Sequence, residues 1–132
     1  MKIVNIILKV LLCLLIFMPI LGATGLFPAP TPDLYNTPEA FTYIDVLMKA
    51  KYVTIIMAVV FAVSIVLIAM KRTALASLLI LPITVNIVGF HLFLDGGLFT
   101  PGAIMGNLLL VLNVYFLWQN RKTYATLLKK DS

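Results

Sequence analysis

Charged residues are scarce in this sequence. Only 11% of the 132 residues are Asp, Glu, Lys or Arg, whereas 62% are hydrophobic. A soluble globular chain has about a quarter charged residues and about half apolar ones, and a chain this small cannot bury so much apolar surface from water. Lipid therefore has to solvate part of the molecule. We predict an all-α integral membrane protein whose main partner is the lipid bilayer.

Side chains that build redox, metal or catalytic sites are also few. Cys13 is the only cysteine and His91 the only histidine, which excludes an intrachain disulfide, a CxxC redox pair and a bis-His haem site within one chain. The sequence has no glycine-rich phosphate loop, pair of intramembrane carboxylates or nucleophile elbow. His91 and Asp95 offer two metal ligands on one helix face, but a third is missing. We therefore predict no catalytic residue, no metal and no cofactor held by this chain alone.

The formal net charge of +5 comes from basic residues that are scattered between apolar runs. A nucleic-acid interface would need a dense Lys/Arg patch interleaved with aromatic residues, and the sequence has none. Nucleic acid is therefore not an expected partner. Positive charge at the ends of membrane spans is the interpretation that we prefer.

Four apolar segments are long enough to cross a bilayer, which takes about 20 residues of helix. They cover approximately residues 3–22, 52–70, 73–94 and 101–119. The links after the second and third segments are short, and short links make consecutive helices antiparallel neighbours. The sequence therefore predicts an up-down bundle of four transmembrane helices, with residues 1–132 forming a single domain.

The one long connection, residues 23–51, is expected to contain a helix of its own. It begins with three prolines in five residues, which favour an extended backbone. Thr37, Pro38 and Glu39 then have the form of a helix start, with a capping hydroxyl, a proline at the first position and an acid in the first turn. Apolar residues follow at helical spacing, namely Phe41, Ile44, Leu47 and Met48. We predict a short amphipathic helix on the external surface of the membrane.

Basic residues predict the orientation, because the cytoplasmic ends of spans are enriched in Lys and Arg. With a cytoplasmic N-terminus, eight of the ten basic residues fall on or near the cytoplasmic side, and four of the five acids fall outside. Both termini are therefore expected in the cytoplasm. A cleaved signal peptide is the alternative for the first segment, since Lys2 and Lys9 precede an apolar stretch that ends at the small residues 23–25.

Most polar residues within the spans belong to the third one. Ser77, Thr84 and His91 recur every seven residues and Asp95 follows one turn later, which places all four on one stripe of the helix. Polar side chains inside a span usually face the bundle interior or a cavity. With apolar walls around them, such groups form the usual kind of small-molecule site. Our candidate ligand-binding residues are His91, Asp95, Asn86, Thr84 and Tyr52.

Two contacts between the third and fourth spans are also predicted. Asn86 and Asn107 lie at similar depths, so their amides are expected to form a hydrogen bond across the hairpin. Gly102 and Gly106 form a small-xxx-small pattern, which lets helices approach closely. Packing within the bundle is the interpretation that we prefer for these glycines, and a homodimer contact is the alternative.

The segment 81–95 resembles the third span of the small DoxX-like membrane proteins, through Val-Asn-Ile at 85–87 and Phe-His-Leu-Phe-Leu-Asp at 90–95. The proline-rich loop, Pro-Glu-Ala at 38–40, the basic turn and the basic C-terminus also fit that family's layout. The resemblance implies a four-helix protein of the bacterial cytoplasmic (inner) membrane. Some members of the wider family are subunits of a thiosulfate:quinone oxidoreductase, whereas most have no assigned activity.

These observations leave three functions open. We favour a non-catalytic membrane subunit or a binding module for a lipophilic small molecule such as a quinone. A membrane subunit of a quinone-linked oxidoreductase is the first alternative, and it requires a redox protein partner because this chain supplies no redox group. A small channel or permease is the second, and it requires a homo-oligomer because four short helices leave little room for a pore.

Overall fold

The computed structural model describes residues 1–131, and this part of the chain is helical without any strand. Short 3-10 turns lie at Pro32–Leu34 and Pro101–Ala103. The six α-helices are α1 (Lys2–Ala23), α2 (Pro38–Ala50), α3 (Tyr52–Ala69), α4 (Thr73–Phe93), α5 (Ile104–Gln119) and α6 (Arg121–Leu127).

Four of these helices are long and apolar enough to cross a membrane: α1, α3, α4, and α5 together with the turn that precedes it. Each of their ends lies within one residue of the predicted bound. Large apolar side chains such as Ile7, Val59 and Val111 are exposed along them. Exposed apolar surface on this scale is typical of a face in contact with lipid. The four helices fit a multi-pass membrane protein.

The four long helices form a ring. Helix α1 packs against α3 and α5, and α4 packs against the same two helices from the other side. The fully buried apolar side chains come from all four helices and include Leu12, Phe61, Ile80 and Phe116. Large side chains therefore fill the centre of the ring in a single copy of the chain.

Helices α4 and α5 approach each other closely at Gly106. A Cβ atom built on Gly106 would lie 2.9 Å from Cγ2 of Ile87, which is too close for an unchanged packing. One built on Gly102, in the turn before α5, would lie 3.9 Å from Cε1 of His91, an ordinary contact distance. The structure therefore supports the predicted packing role for Gly106, whereas the spacing at Gly102 does not require a glycine.

Helix α2 begins as its sequence predicts. The Thr37 hydroxyl accepts a hydrogen bond from the Ala40 N–H at 3.1 Å, Pro38 occupies the first position and Glu39 lies in the first turn. The apolar side chains at helical spacing are half-buried, namely Phe41, Ile44, Leu47 and Met48. This amphipathic face lets α2 pack on the bundle instead of extending away from it.

The two ends of the bundle differ in character. The loop end contains segment 24–51 and the turn 94–103, which are joined by hydrogen bonds between Asn36 and Asp95. The basic end contains the start of α1, the turn between α3 and α4, and the end of α5 with α6. Tyr115 and Gln119 there donate to the Asn5 side-chain oxygen, at 2.8 and 3.0 Å. Helix α6, which the sequence analysis did not predict, is tied to α4 by the hydrogen bond from Tyr124 to the Ala74 carbonyl, at 2.7 Å.

Candidate functional site

Asp95 is the most deeply buried acidic side chain at the loop end. It is only 3% exposed, because it lies just after α4 and beneath the segment that leads into α2. One carboxylate oxygen accepts a hydrogen bond from the Asn36 backbone N–H at 2.8 Å, and the Asn36 amide donates to the Asp95 carbonyl at 3.0 Å. The Thr37 hydroxyl donates to the neighbouring Leu94 carbonyl. Asp95 therefore fastens the start of α2 to the end of α4.

His91 lies one helical turn before Asp95, on the same face of α4. Its Nδ1 is buried and lies 3.5 Å from the second Asp95 carboxylate oxygen, without a shorter hydrogen bond in the described chain. The imidazole also lies against α5, where Gly102 and Gly106 leave room for the ring. The structure therefore brings His91 and Asp95 together in the interior, as their spacing predicts.

An aromatic cluster continues from His91 into the loop segment. The Phe90 ring stacks on Tyr43 at 5.8 Å and meets Tyr35 edge-on at 6.4 Å. Tyr35 also contacts Phe41, at 6.1 Å. Burial, and secondly the negative charge of Asp95, raise the pKa of the Tyr35 phenol above its usual range. Tyr35 therefore stays protonated and can donate a hydrogen bond at neutral pH.

Beside this cluster lies an apolar cleft of about 310 Å³. Its walls come from the last turns of α1, the loop segment, α2 and the first turns of α3. Tyr35 and Thr54 are its hydroxyl-bearing residues. The Thr54 hydroxyl donates to the Lys51 carbonyl at 2.8 Å, whereas no hydrogen bond of the Tyr35 hydroxyl is found within residues 1–131. An apolar cleft with one free donor suits a small, mostly apolar molecule that carries an acceptor oxygen.

Thr84, another predicted site residue, belongs to a separate polar network in the middle of the bundle. Its fully buried hydroxyl donates to the Asn113 side-chain oxygen at 2.7 Å. The Asn113 amide donates in turn to the Ser77 carbonyl at 2.9 Å. Thr84 is therefore engaged in joining α4 to α5, two helical turns from His91.

Asn86 and Tyr52 do not join the His91–Asp95 pair. Asn86 is exposed on the outer face of α4, and Tyr52 is 65% exposed at the start of α3. Neither residue lines the apolar cleft. The predicted hydrogen bond between Asn86 and Asn107 is wrong, because Asn107 donates to the Leu98 carbonyl at 2.8 Å and thereby fixes the turn before α5.

Two residues of the loop segment that complete this region were not predicted from the sequence. Asn36 and Tyr35 lie outside every span, and 59 residues separate Asn36 from its partner Asp95. Their only local signal is their position just before the capping residue Thr37. Asn113, which joins α5 to α4, was not among the predicted site residues either.

Comparisons with protein-family models, with curated proteins and with solved structures give no significant match. The resemblance to DoxX-like proteins therefore depends on the sequence pattern of the third span and the layout around it.

Proposed function

We propose that this chain is a non-catalytic, DoxX-like membrane protein that binds a lipophilic small molecule of the quinone class in the loop-end cleft. The observation that carries the proposal is the cleft itself, whose mostly apolar lining includes Tyr35, a phenol without a hydrogen bond in the described chain. Its volume of about 310 Å³ lies at the lower end of the usual range for small-molecule sites. A quinone ring presents two flat apolar faces and a carbonyl oxygen, and the oxygen would accept the hydrogen bond from Tyr35.

The His91–Asp95 pair would act on this site by positioning. Asp95 holds Asn36 in place, and Asn36 directly follows Tyr35 in the chain. The Phe90 ring, next to His91 in the chain, contacts the Tyr35 ring edge-on. A ligand in the cleft would therefore depend on this pair without touching either side chain.

We further propose that the four long helices form an up-down bundle in a bacterial inner membrane, with the loop end outside and both termini in the cytoplasm. The side-chain contacts support this arrangement, because Asn5 of α1 meets the end of α5 and Asn36 meets the end of α4. The basic turn and the basic C-terminus lie at the opposite end from Asp95, as the positive-inside rule requires. A reporter fused after Ser132 should behave as cytoplasmic, and one inserted at Asn36 as external; the reverse result at either position contradicts the orientation.

The binding test uses the full chain, purified in mild detergent and titrated with a short-chain benzoquinone. Gly22→Leu should fill the cleft and abolish binding. Gly22 lines the cleft, and a Cβ atom built on it would lie 3.7 Å from Cδ2 of Phe27. Gly89→Leu is the matched control, since it changes another helical glycine that faces open space. Tyr35→Phe should weaken binding about three- to tenfold, the usual value of one hydrogen bond. Tyr43→Phe is its control, because Tyr43 packs on the same Phe90 ring without lining the cleft.

Equal affinities of the Gly22→Leu and Gly89→Leu variants would exclude the cleft as the site. A stable redox protein that co-purifies with the chain and needs the bound quinone for turnover would favour the oxidoreductase-subunit alternative. A single copy offers no support for the channel alternative, because large side chains such as Phe61 and Phe116 fill its centre.

A further inference from the structure

A second, larger cleft lies at the basic end of the bundle, far from the loop-end cleft. It measures about 820 Å³ and is bounded by α1, the start of α4, the end of α5 and α6. Helix α6 closes one side, where Tyr124 donates its hydrogen bond to the Ala74 carbonyl. The cleft is therefore a feature of the assembled bundle and not of one helix.

Three positive charges line this cleft, from Lys9, Lys71 and Arg72. None of the three forms an ion pair within residues 1–131, and no acidic residue lines the cleft. Lys9 is the least expected of them, because it is half-buried within the apolar helix α1. A lysine inside a span is costly unless it reaches the interface or an anion. The cleft therefore concentrates unneutralised positive charge.

The start of α4 adds hydrogen-bond donors that point to an anion. Its first intrahelical bond is donated by Ala76 to the Arg72 carbonyl, which leaves the earlier N–H groups without helical partners. The Thr73 side chain is only 6% exposed, and its buried hydroxyl has no hydrogen-bond partner in the described chain. An unpaired buried hydroxyl in the first helical turn, in a cleft that three cationic residues also line, is the arrangement that a phosphate group would satisfy.

Apolar residues form the remaining part of the lining. Leu75, Leu78 and Leu127 border the cleft, and Leu75 and Leu127 are exposed. A free phosphate ion would gain nothing from these leucines, whereas the acyl chains of a lipid would pack on them. Polar donors and an apolar border at the same cleft match the two parts of a phospholipid.

We propose that the basic-end cleft binds the phosphate headgroup of an anionic phospholipid, with Lys9, Arg72 and the Thr73 hydroxyl as its principal contacts. Clusters of basic residues at the cytoplasmic ends of spans attract anionic lipids in general. Binding in this cleft would differ from that general attraction, because a buried hydroxyl and a half-buried lysine line the cleft. The site is independent of the quinone proposal, since no residue lines both clefts.

The test counts retained lipids by native mass spectrometry of the full chain in a neutral detergent. Phosphatidylglycerol, phosphatidylcholine and inorganic phosphate are added separately, so that the two sources of phosphate are distinguished. We expect one tightly retained phosphatidylglycerol, and retention about tenfold weaker or more after Lys9→Gln/Arg72→Gln, because this variant removes two basic groups that attract the anionic headgroup. The matched control, Lys122→Gln/Lys130→Gln, removes the same charge from residues outside the cleft, and we expect at most about a threefold change from such exposed groups.

Variants of Thr73 distinguish binding at a defined hydrogen-bonding site from attraction by positive charge alone. Thr73→Val keeps the shape but loses the donor, and should weaken phosphatidylglycerol retention about three- to tenfold. Thr73→Ser restores the hydroxyl and should retain the lipid as the unaltered chain does. Circular dichroism verifies that each variant keeps its helix content. Three results would each overturn the proposal. The first is an equal loss of phosphatidylglycerol retention in the two double variants, and the second is retention of phosphatidylcholine equal to that of phosphatidylglycerol. The third is binding of inorganic phosphate without binding of phosphatidylglycerol.

Discussion

Replacing Asp95 with alanine tests whether this carboxylate fastens the loop segment to the bundle. The change leaves the Asn36 N–H without its acceptor at 2.8 Å and removes the carboxylate that lies 3.5 Å from His91 Nδ1. A hydrogen bond to a charged group contributes about 1.5–3 kcal/mol. Asp95 itself is only 3% exposed, so the change also leaves a gap beneath the loop segment. We expect Asp95→Ala to destabilise the docked loop by about 2–3 kcal/mol.

The appropriate assay follows backbone amide hydrogen exchange in detergent, region by region. Exchange of the first turn of α2, around Ala40, should accelerate about thirtyfold or more, as a loss of 2–3 kcal/mol in local opening free energy implies. The middle of the bundle, where Thr84 bonds Asn113, should exchange at its original rate. Asp95→Asn keeps an acceptor oxygen of the same shape but no charge, so its effect should be smaller, about 1 kcal/mol.

The control for this experiment is Asp45→Ala in the same segment. Asp45 pairs with Lys49 at 2.8 Å on the exposed side of α2, and an exposed pair of this kind contributes about 0.5 kcal/mol or less. Unchanged exchange around Ala40 in Asp95→Ala would refute the fastening role. Equal acceleration in Asp45→Ala would show that any loss of charge in this region loosens it.

Three further predictions follow from individual contacts. Gly106→Ala should destabilise the bundle by about 1–3 kcal/mol in a reversible denaturation assay, because the added Cβ would lie 2.9 Å from a methyl carbon of α4. Gly89→Ala is the control and should not destabilise the bundle, since a Cβ at that position would face open space. Asn113→Leu should cost about 0.6–2 kcal/mol in the same assay, since it removes the amide that joins α5 to α4. The pKa of the Tyr35 phenol is raised in the folded state, so the protonated phenol stabilises the docked loop. This stabilisation is complete below about pH 10, the usual pKa of a tyrosine, and is lost as the pH rises through the folded-state pKa. Hydrogen exchange measured against pH should show this loss, and Tyr35→Phe should remove it.

Local signals in the sequence were sufficient to place the four long helices and α2. The length of each apolar run gives the bounds of a span, because the thickness of the hydrocarbon fixes how many residues are needed. Thr37, Pro38 and Glu39 likewise mark the start of α2 through interactions within one helical turn. Helix α6 was missed because it is short and polar and follows α5 with only Asn120 between them.

Local signals in the sequence did not predict which side chains pair between helices. Similar depths along the helices suggested that Asn86 and Asn107 would meet, but Asn86 is exposed and Asn107 donates to the Leu98 carbonyl. Spans that are apolar on every side carry little information about rotation, since lipid and protein interior are equally apolar. The stripe of Ser77, Thr84 and His91 was informative because polar side chains avoid lipid. The bond between Asn36 and Asp95 joins distant segments, and no periodicity encodes it.

The polar contacts also explain where the bundle can open. In lipid, apolar packing alone distinguishes weakly between helix partners, so hydrogen bonds between helices become specific fasteners. Thr84 and Asn113 join α4 to α5, and Asn5 joins α1 to α5 at the basic end. Helix α3 has no such bond in the described chain, because Ser64 donates within its own helix, to Val60. Separating α3 from α1 at the loop end therefore breaks packing contacts only, and those two helices are the ones whose ends form walls of the apolar cleft.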